Sequence, residues 1–285
     1  MSDTKPDGSP KIYLLPNLMT AGNLFCGFAA SLSIVESALL KERGAADSLA
    51  DAKVHQAIWL ILASCIFDLL DGRLARLGGA ESAFGREFDS LADVVSFGVA
   101  PALMVHRIVL HQFSDKTGWI IASVYLICGA MRLARFNCVA ASGVVNATKD
   151  FTGFPIPAAA GLIASLTLFL LSLDEGQEAQ PYLKWLLAAL MLFLAWMMFS
   201  KFKYPSFKGI GLKTKRSLPK FLAFVFVLVL TGLNIFVMKV HWMPFVIFLV
   251  YLLYGFTRPF LSRQMTHDIE DEDDEDDEGT AAPQV

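Results

Sequence analysis

Charged residues and cysteines are scarce in this 285-residue chain. Only 18% of the residues are charged, against about a quarter in an ordinary soluble domain. The four cysteines are dispersed singly, without metal-ligand spacing. These deficits exclude a disordered protein, a disulfide scaffold and an ordinary soluble enzyme. Because 55% of the residues are hydrophobic and the mean hydropathy is +0.51, the composition predicts a polytopic membrane protein. We expect no nucleic-acid partner.

The charge that is present is unevenly distributed. Residues Asp268–Glu278 include ten acids and no basic residue; without them, 17 acids would face 24 Lys and Arg, and the net charge would be +7 rather than −3. We therefore divide the chain into a cytoplasmic N-terminal segment (1–11), a transmembrane domain (12–260) and an acidic, disordered C-terminal tail (261–285).

Eight hydrophobic stretches predict an all-α bundle of about eight transmembrane helices. Five approach the roughly 20 apolar residues that a span requires: Ile12–Val35, Phe154–Leu173, Trp185–Ser200, Phe221–Met238 and His241–Thr257. Three shorter stretches reach full length only by taking in charged residues: Val54–Phe67, Val94–Val105 and Gly118–Met131. Ionisable groups at membrane depth cost about 2.5–3.5 kcal/mol each, so they indicate function.

An even number of spans places both termini on one side of the membrane. On that topology, 17 of the 24 basic residues lie on the side of the termini, including all seven between positions 201 and 220. The positive-inside rule then predicts that both termini are cytoplasmic. The charged ends of the second, third and fourth helices converge on this face.

Four aspartates stand at helical spacing in the second and third spans. Asp68 and Asp71 are separated by three positions, and Asp89 and Asp93 by four, so each pair shares a helix face. Ser82 is the predicted N-cap of the third helix, and the short connection predicts that the second and third helices are antiparallel neighbours. Ionised carboxylates this close repel one another, which favours a pair of divalent cations, Mg²⁺ or Mn²⁺. The alternative is a solvated helix end paired with neighbouring arginines.

The complete pattern resembles the signature of the CDP-alcohol phosphatidyltransferases. It reads Asp68-x2-Asp71-Gly72-x2-Ala75-Arg76-x8-Gly85-x3-Asp89-x3-Asp93. The resemblance implies that the four aspartates bind two metal ions and that Asp93 also takes the proton from an acceptor hydroxyl. It further implies that Gly72 and Ala75 border a cytidine nucleotide, and that Arg76 and Gly85 complete the diphosphate pocket. Residues 68–93 would then be the core of a catalytic domain.

Three further strings resemble the phosphatidylserine synthase branch of that family. They begin at Leu15, Cys128 and Phe151. The branch implies CDP-diacylglycerol and L-serine as substrates, a homodimer, and a multi-pass protein of the inner, cytoplasmic membrane with its active site facing the cytoplasm. Other acceptors stay open: glycerol 3-phosphate, an inositol phosphate or choline. A divalent-cation transporter is the alternative from another class, although no inverted repeat is evident.

Two further groups of polar residues accompany the aspartates. Arg132 and Arg135 share a helix face and suit an anion, either the serine carboxylate or a donor phosphate; the alternative is that both only extend to the interface. Asn137 can add a hydrogen bond. The first helix carries Asn17, Thr20 and Asn23 at three-residue intervals, facing either a substrate pocket or a neighbouring helix.

Overall fold

The computed structural model describes residues 14–77, 82–113, 115–141, 150–173, 181–200, 203–205 and 242–257. This part of the chain is helical apart from one short two-stranded ribbon, so the predicted all-helical bundle is confirmed. The helices are α1 (Leu14–Glu42), α2 (Asp47–Leu77), α3 (Ala83–Asp93), α4 (Ala100–Ile108), α5 (Asp115–Ala141), α6 (Ile156–Leu173), α7 (Pro181–Phe199) and α8 (Met243–Thr257).

Several of these helices are apolar enough to cross a membrane. Three are also long enough: Leu14–Glu42, Ala83–Ile108 and Lys116–Val139. Shorter apolar helices cover Ile156–Ser172, Trp185–Phe199 and Met243–Leu253. Seven of the eight predicted stretches coincide with helices; the eighth, Phe221–Met238, lies outside the described residues, as do the 1–11 segment and the 261–285 tail. The total number of spans and the side of the termini stay predictions.

The third predicted span is one continuous rod with three parts. It begins at Ser82, whose hydroxyl accepts a hydrogen bond from the Gly85 N–H at 2.9 Å, which confirms the predicted cap. α3 then passes directly into a π-helical turn, Val94–Val99, which leads into α4. Such turns are rare and occur frequently at functional sites.

α1 is the helix that holds the polar end of the bundle together. It packs along α2 and also against α3 and the π turn. In the part of the chain that the structure describes, the backbones of α2 and α3 make few close approaches to each other. The two helices instead approach through their carboxylates, beside α1.

The contact between α1 and the π turn depends on a glycine. The Ser96 hydroxyl donates a hydrogen bond to the Asn23 carbonyl at 2.9 Å, and a Cβ built on Gly27 would overlap the Ser96 backbone and side chain. On the other side of the turn, the Tyr125 hydroxyl donates to the Phe97 carbonyl at 3.0 Å. The turn is therefore fixed between α1 and α5.

The remaining helices form the apolar core, and the segment that contains Gly153 lies near the polar end of the bundle. α6 packs against α2 and α8, and α7 packs against α5. Strand β1 (Asp150–Thr152) pairs antiparallel with β2 (Lys203–Pro205), an element that the sequence did not predict because three residues are too few to show an alternating pattern. Gly153 follows β1 with a positive φ of 85°, a conformation that favours glycine.

Candidate metal centre and active site

Three aspartates meet beside α1. Asp68 and Asp71 come from α2 and Asp89 from α3, and one oxygen of each lies within 4.8 Å of the others. The spacing of three residues puts Asp68 and Asp71 on one face of α2, and α3 presents Asp89 to that face. Asp71 is only 4% exposed, so the cluster lies largely within the bundle.

The chemistry of these groups fits a metal ion. Three carboxylates supply hard oxygen ligands of the kind that Mg²⁺ and Mn²⁺ prefer. Among the residues that the structure describes, nothing hydrogen-bonds to the buried Oδ1 of Asp89, and a buried acceptor of this kind is costly unless something binds it. The acidic cluster could therefore bind a metal.

Asp93 lies beside the three-carboxylate group rather than within it. It is 5% exposed, immediately precedes the π turn, and interacts electrostatically with Asp68, Asp71 and Asp89. The family resemblance implied that Asp93 is a fourth metal ligand that also acts as the base, and the structure gives this residue an environment of its own. The difference arises because Asp93 is one turn further along α3 and faces α1.

The polar stripe of α1 points at these carboxylates. The Thr20 hydroxyl donates to Asp71 Oδ2 at 2.9 Å, and the Asn23 amide donates to Asp93 Oδ1 at 3.1 Å. Asn17 is next to the start of α3, since a Cβ built on Gly85 would lie 3.3 Å from Asn17 Oδ1. These are contacts with neighbouring helices, and the predicted role of the three residues in a substrate pocket stays a prediction.

Arg132 extends the site towards α5. Its side chain is 8% exposed and is attracted electrostatically by Asp93 and Asp68. Its Nε is buried and has no hydrogen-bond partner among the described atoms. Arg135 lies further out, where one of its nitrogens is 3.1 Å from the position of a Cβ on Gly153. The two arginines therefore occupy different surroundings, although they share a helix face.

The structure gives Asn137 a contact that the sequence did not anticipate. Its amide donates to Ser90 Oγ at 3.0 Å and to Glu87 Oε2 at 3.3 Å, so it bridges α5 and α3. Neither partner belongs to the signature motif, and only the tertiary fold brings them together. Its predicted role towards the acceptor or a phosphate stays a prediction.

The remaining motif residues lie near the end of α2. Gly72 and Ala75 are half-buried there, and the Arg76 side chain lies outside the described residues. Sequence reasoning missed the contact between Gly27 and Ser96, because Ser96 follows the last motif aspartate and Gly27 is 41 positions before the first. The sequence signal for this contact is the small residue Gly27, which stands four positions after Asn23 on α1.

Comparisons with known proteins identify the family of this chain. The family model for CDP-alcohol phosphatidyltransferase matches residues 13–199. A CDP-diacylglycerol–serine O-phosphatidyltransferase of Helicobacter pylori is 36% identical over 260 residues, covering 87% of this chain and 91% of the relative. Proteins with the same name are 33% identical in Bacillus subtilis (68% of this chain, 91% of the relative) and 40% identical in Methanocaldococcus jannaschii (52% and 63%).

The matched region contains the whole carboxylate cluster, α1 with its polar stripe, and Arg132. The chain therefore belongs to the CDP-alcohol phosphatidyltransferase family.

Proposed function

We propose that this protein is a phosphatidylserine synthase, which transfers the phosphatidyl group of CDP-diacylglycerol to the hydroxyl of L-serine and releases CMP. The observation that carries the proposal is the group of three carboxylates within 4.8 Å of one another, together with the buried Arg132, whose Nε has no hydrogen-bond partner in the part of the chain that the structure describes. The choice of serine is supported by the names of relatives that align with most of the chain.

The donor is proposed to bind along the end of α2. Gly72 and Ala75 leave a strip without bulky side chains, where the cytidine nucleotide can approach the helix, while Arg76 and Gly85 border the diphosphate. Two divalent cations, Mg²⁺ or Mn²⁺, held by the carboxylates of Asp68, Asp71, Asp89 and Asp93, would neutralise charge on the phosphates when bound.

The acceptor is proposed to bind between Asp93 and Arg132. The serine oxygen forms a bond to the lipid-linked phosphorus, the bond from that phosphorus to the oxygen of CMP breaks, and the hydroxyl proton passes to Asp93. Because Asn23 donates to Asp93 Oδ1, we assign the proton to Oδ2. Arg132 and Arg135 bind an anion, either the serine carboxylate or a donor phosphate.

The proposed setting of the reaction rests on the charge distribution and on what the family resemblance implies. We propose a multi-pass protein of the inner, cytoplasmic membrane, with its active site facing the cytoplasm and with a homodimer as the working unit. The concentration of basic residues at positions 201–220 supports this orientation. Lipid tails would enter from the bilayer, whereas serine and CMP would exchange with water.

The test is an acceptor assay on the purified full chain in lipid nanodiscs. With CDP-diacylglycerol and Mn²⁺, we expect labelled serine to give phosphatidylserine and CMP, and labelled glycerol 3-phosphate, inositol phosphate or choline to give little product. Turnover with one of those acceptors but not with serine would overturn the serine assignment. Absence of CMP release with every acceptor would favour a divalent-cation transporter.

Replacing the proposed base sharpens the test. Asp93→Asn should lower kcat by at least about 100-fold, the lower end of the contribution of a general base. Asp51→Asn is the matched control, because Asp51 is exposed on α2 and remote from the cluster in sequence. Full activity in Asp93→Asn would remove Asp93 from the role of base.

A further inference from the structure

The last described helix, α8, lies beyond the region that the family model matches. One of its faces carries three aromatic residues spaced three positions apart: Phe245, Phe248 and Tyr251. Residues three apart on a helix lie on the same side. No residue of the signature motif lies on this face, but its last aromatic residue interacts electrostatically with Arg132.

Two contacts with α6 determine where this aromatic face lies. Phe245 stacks on Phe169, with ring centroids 6.1 Å apart and an interplanar angle of 6°. Phe248 packs directly onto Gly161, where a Cβ would overlap its ring. The close approach at Gly161 fixes both the position of α8 along its axis and its rotation about that axis. The position of the next aromatic residue on this face is therefore fixed as well.

Tyr251 is that residue. Its ring packs against Phe154, with centroids 5.8 Å apart and an angle of 39°. Phe154 is completely buried, and its N–H donates to the Met197 carbonyl at 3.1 Å. The ring of Tyr251 is therefore supported by a fully buried ring two residues before the start of α6.

Tyr251 also lies within electrostatic range of Arg132. Arg132 therefore interacts electrostatically both with the carboxylates of Asp93 and Asp68 and with the phenol of Tyr251, and its buried Nε has no hydrogen-bond partner among the described residues. A tyrosine hydroxyl can accept a hydrogen bond from a guanidinium and donate its own proton to an anion. A guanidinium and a phenol together therefore suit an oxyanion that lies between them.

We propose that Tyr251 is a specificity-determining residue whose hydroxyl, together with Arg132, binds the oxyanion of a substrate. The inference rests on the proposed function, because the oxyanion is either the carboxylate of the amino-acid acceptor or a phosphate of the donor. It adds α8 to a site that the motif confines to α2 and α3.

Tyr251→Phe tests the inference, because it removes the hydroxyl and leaves the ring on Phe154. We expect the KM of one substrate to rise about tenfold or more, the effect of losing a hydrogen bond to a charged group, while kcat changes less than threefold. A rise in the KM of serine identifies the carboxylate, and a rise in the KM of CDP-diacylglycerol identifies the phosphate.

Tyr125→Phe is the matched control, since that hydroxyl binds the Phe97 carbonyl within the bundle. It should lower the melting temperature and leave both KM values unchanged. Unchanged KM values in Tyr251→Phe, or a loss of kcat alone, would overturn the inference. Turnover of the wild-type protein with serine tests the proposed function separately. If the wild type uses another acceptor instead, the KM values of wild type and Tyr251→Phe for that acceptor still decide the role of Tyr251.

Discussion

Neutralising one carboxylate of the cluster should stabilise the metal-free protein while abolishing its activity. At an effective dielectric constant of about 20, two unit charges 4.8 Å apart repel by about 3.5 kcal/mol. Asp89 forms two pairs at or within that distance, one with Asp68 and one with Asp71, so the repulsion that it adds is about 7 kcal/mol when all three are ionised.

Proton uptake by the cluster relieves most of that repulsion. We expect a net gain of about 2 kcal/mol for Asp89→Asn, within the usual range of single substitutions, which corresponds to roughly 4–8 °C in melting temperature. The assay is thermal unfolding in detergent with a chelator and then with excess Mn²⁺. Wild type should gain stability from Mn²⁺, whereas Asp89→Asn should gain little and should not turn over.

The Asp51→Asn variant again serves as the control, and its melting temperature should follow that of wild type under both conditions. If wild type and Asp89→Asn melt together in chelator, and Mn²⁺ changes neither, the carboxylates are not a metal-dependent cluster. The metal proposal would then fail, whatever the activity of the variant.

Two further substitutions test how α1 supports the site. Thr20→Val removes the hydrogen bond to Asp71 and should raise the Mn²⁺ concentration for half-maximal activity about 10–100-fold, the usual effect of losing a partner of a metal ligand. Thr167→Val is the control, because it removes a buried hydroxyl that binds only its own helix, and it should leave that Mn²⁺ concentration unchanged. Equal Mn²⁺ dependence of activity in the two variants would refute the role of Thr20. Gly27→Ala forces a methyl group into Ser96 and should lower the free energy of unfolding by about 1–3 kcal/mol or more. Thermal unfolding in detergent measures this change. A melting temperature equal to that of wild type would mean that α1 and the π turn can move apart at this contact without loss of stability.

The helices and the acidic cluster could be predicted because their signals are local. Hydropathy identified α1 and α5, and the three- and four-residue spacings within 68–93 placed aspartates on shared faces. Ser82 was recognisable as a cap because a cap depends on its own neighbours. Each of these features follows from residues within one or two helical turns.

The features that could not be predicted depend on contacts between distant residues. Asn137 gave no sign that it would bridge to Ser90, 47 positions earlier, and the position of Tyr251 follows from the packing of α8 on Gly161. The π turn was also unexpected, because its residues read as an ordinary apolar helix. Tertiary packing determines these arrangements, and a single sequence does not record it.

The π turn after Asp93 has a consequence for how the two halves of its rod are oriented. A π turn accommodates one residue more than an α turn, and one residue corresponds to a rotation of about 100° around a helix axis. The chain thus directs carboxylates to one side before residue 94 and small apolar residues such as Ala100 and Ala102 to the bundle core after residue 99. Deleting a single residue between them would keep a continuous rod but would turn its two ends out of phase by about 100°, so the carboxylates and the small apolar residues could no longer both face their present neighbours.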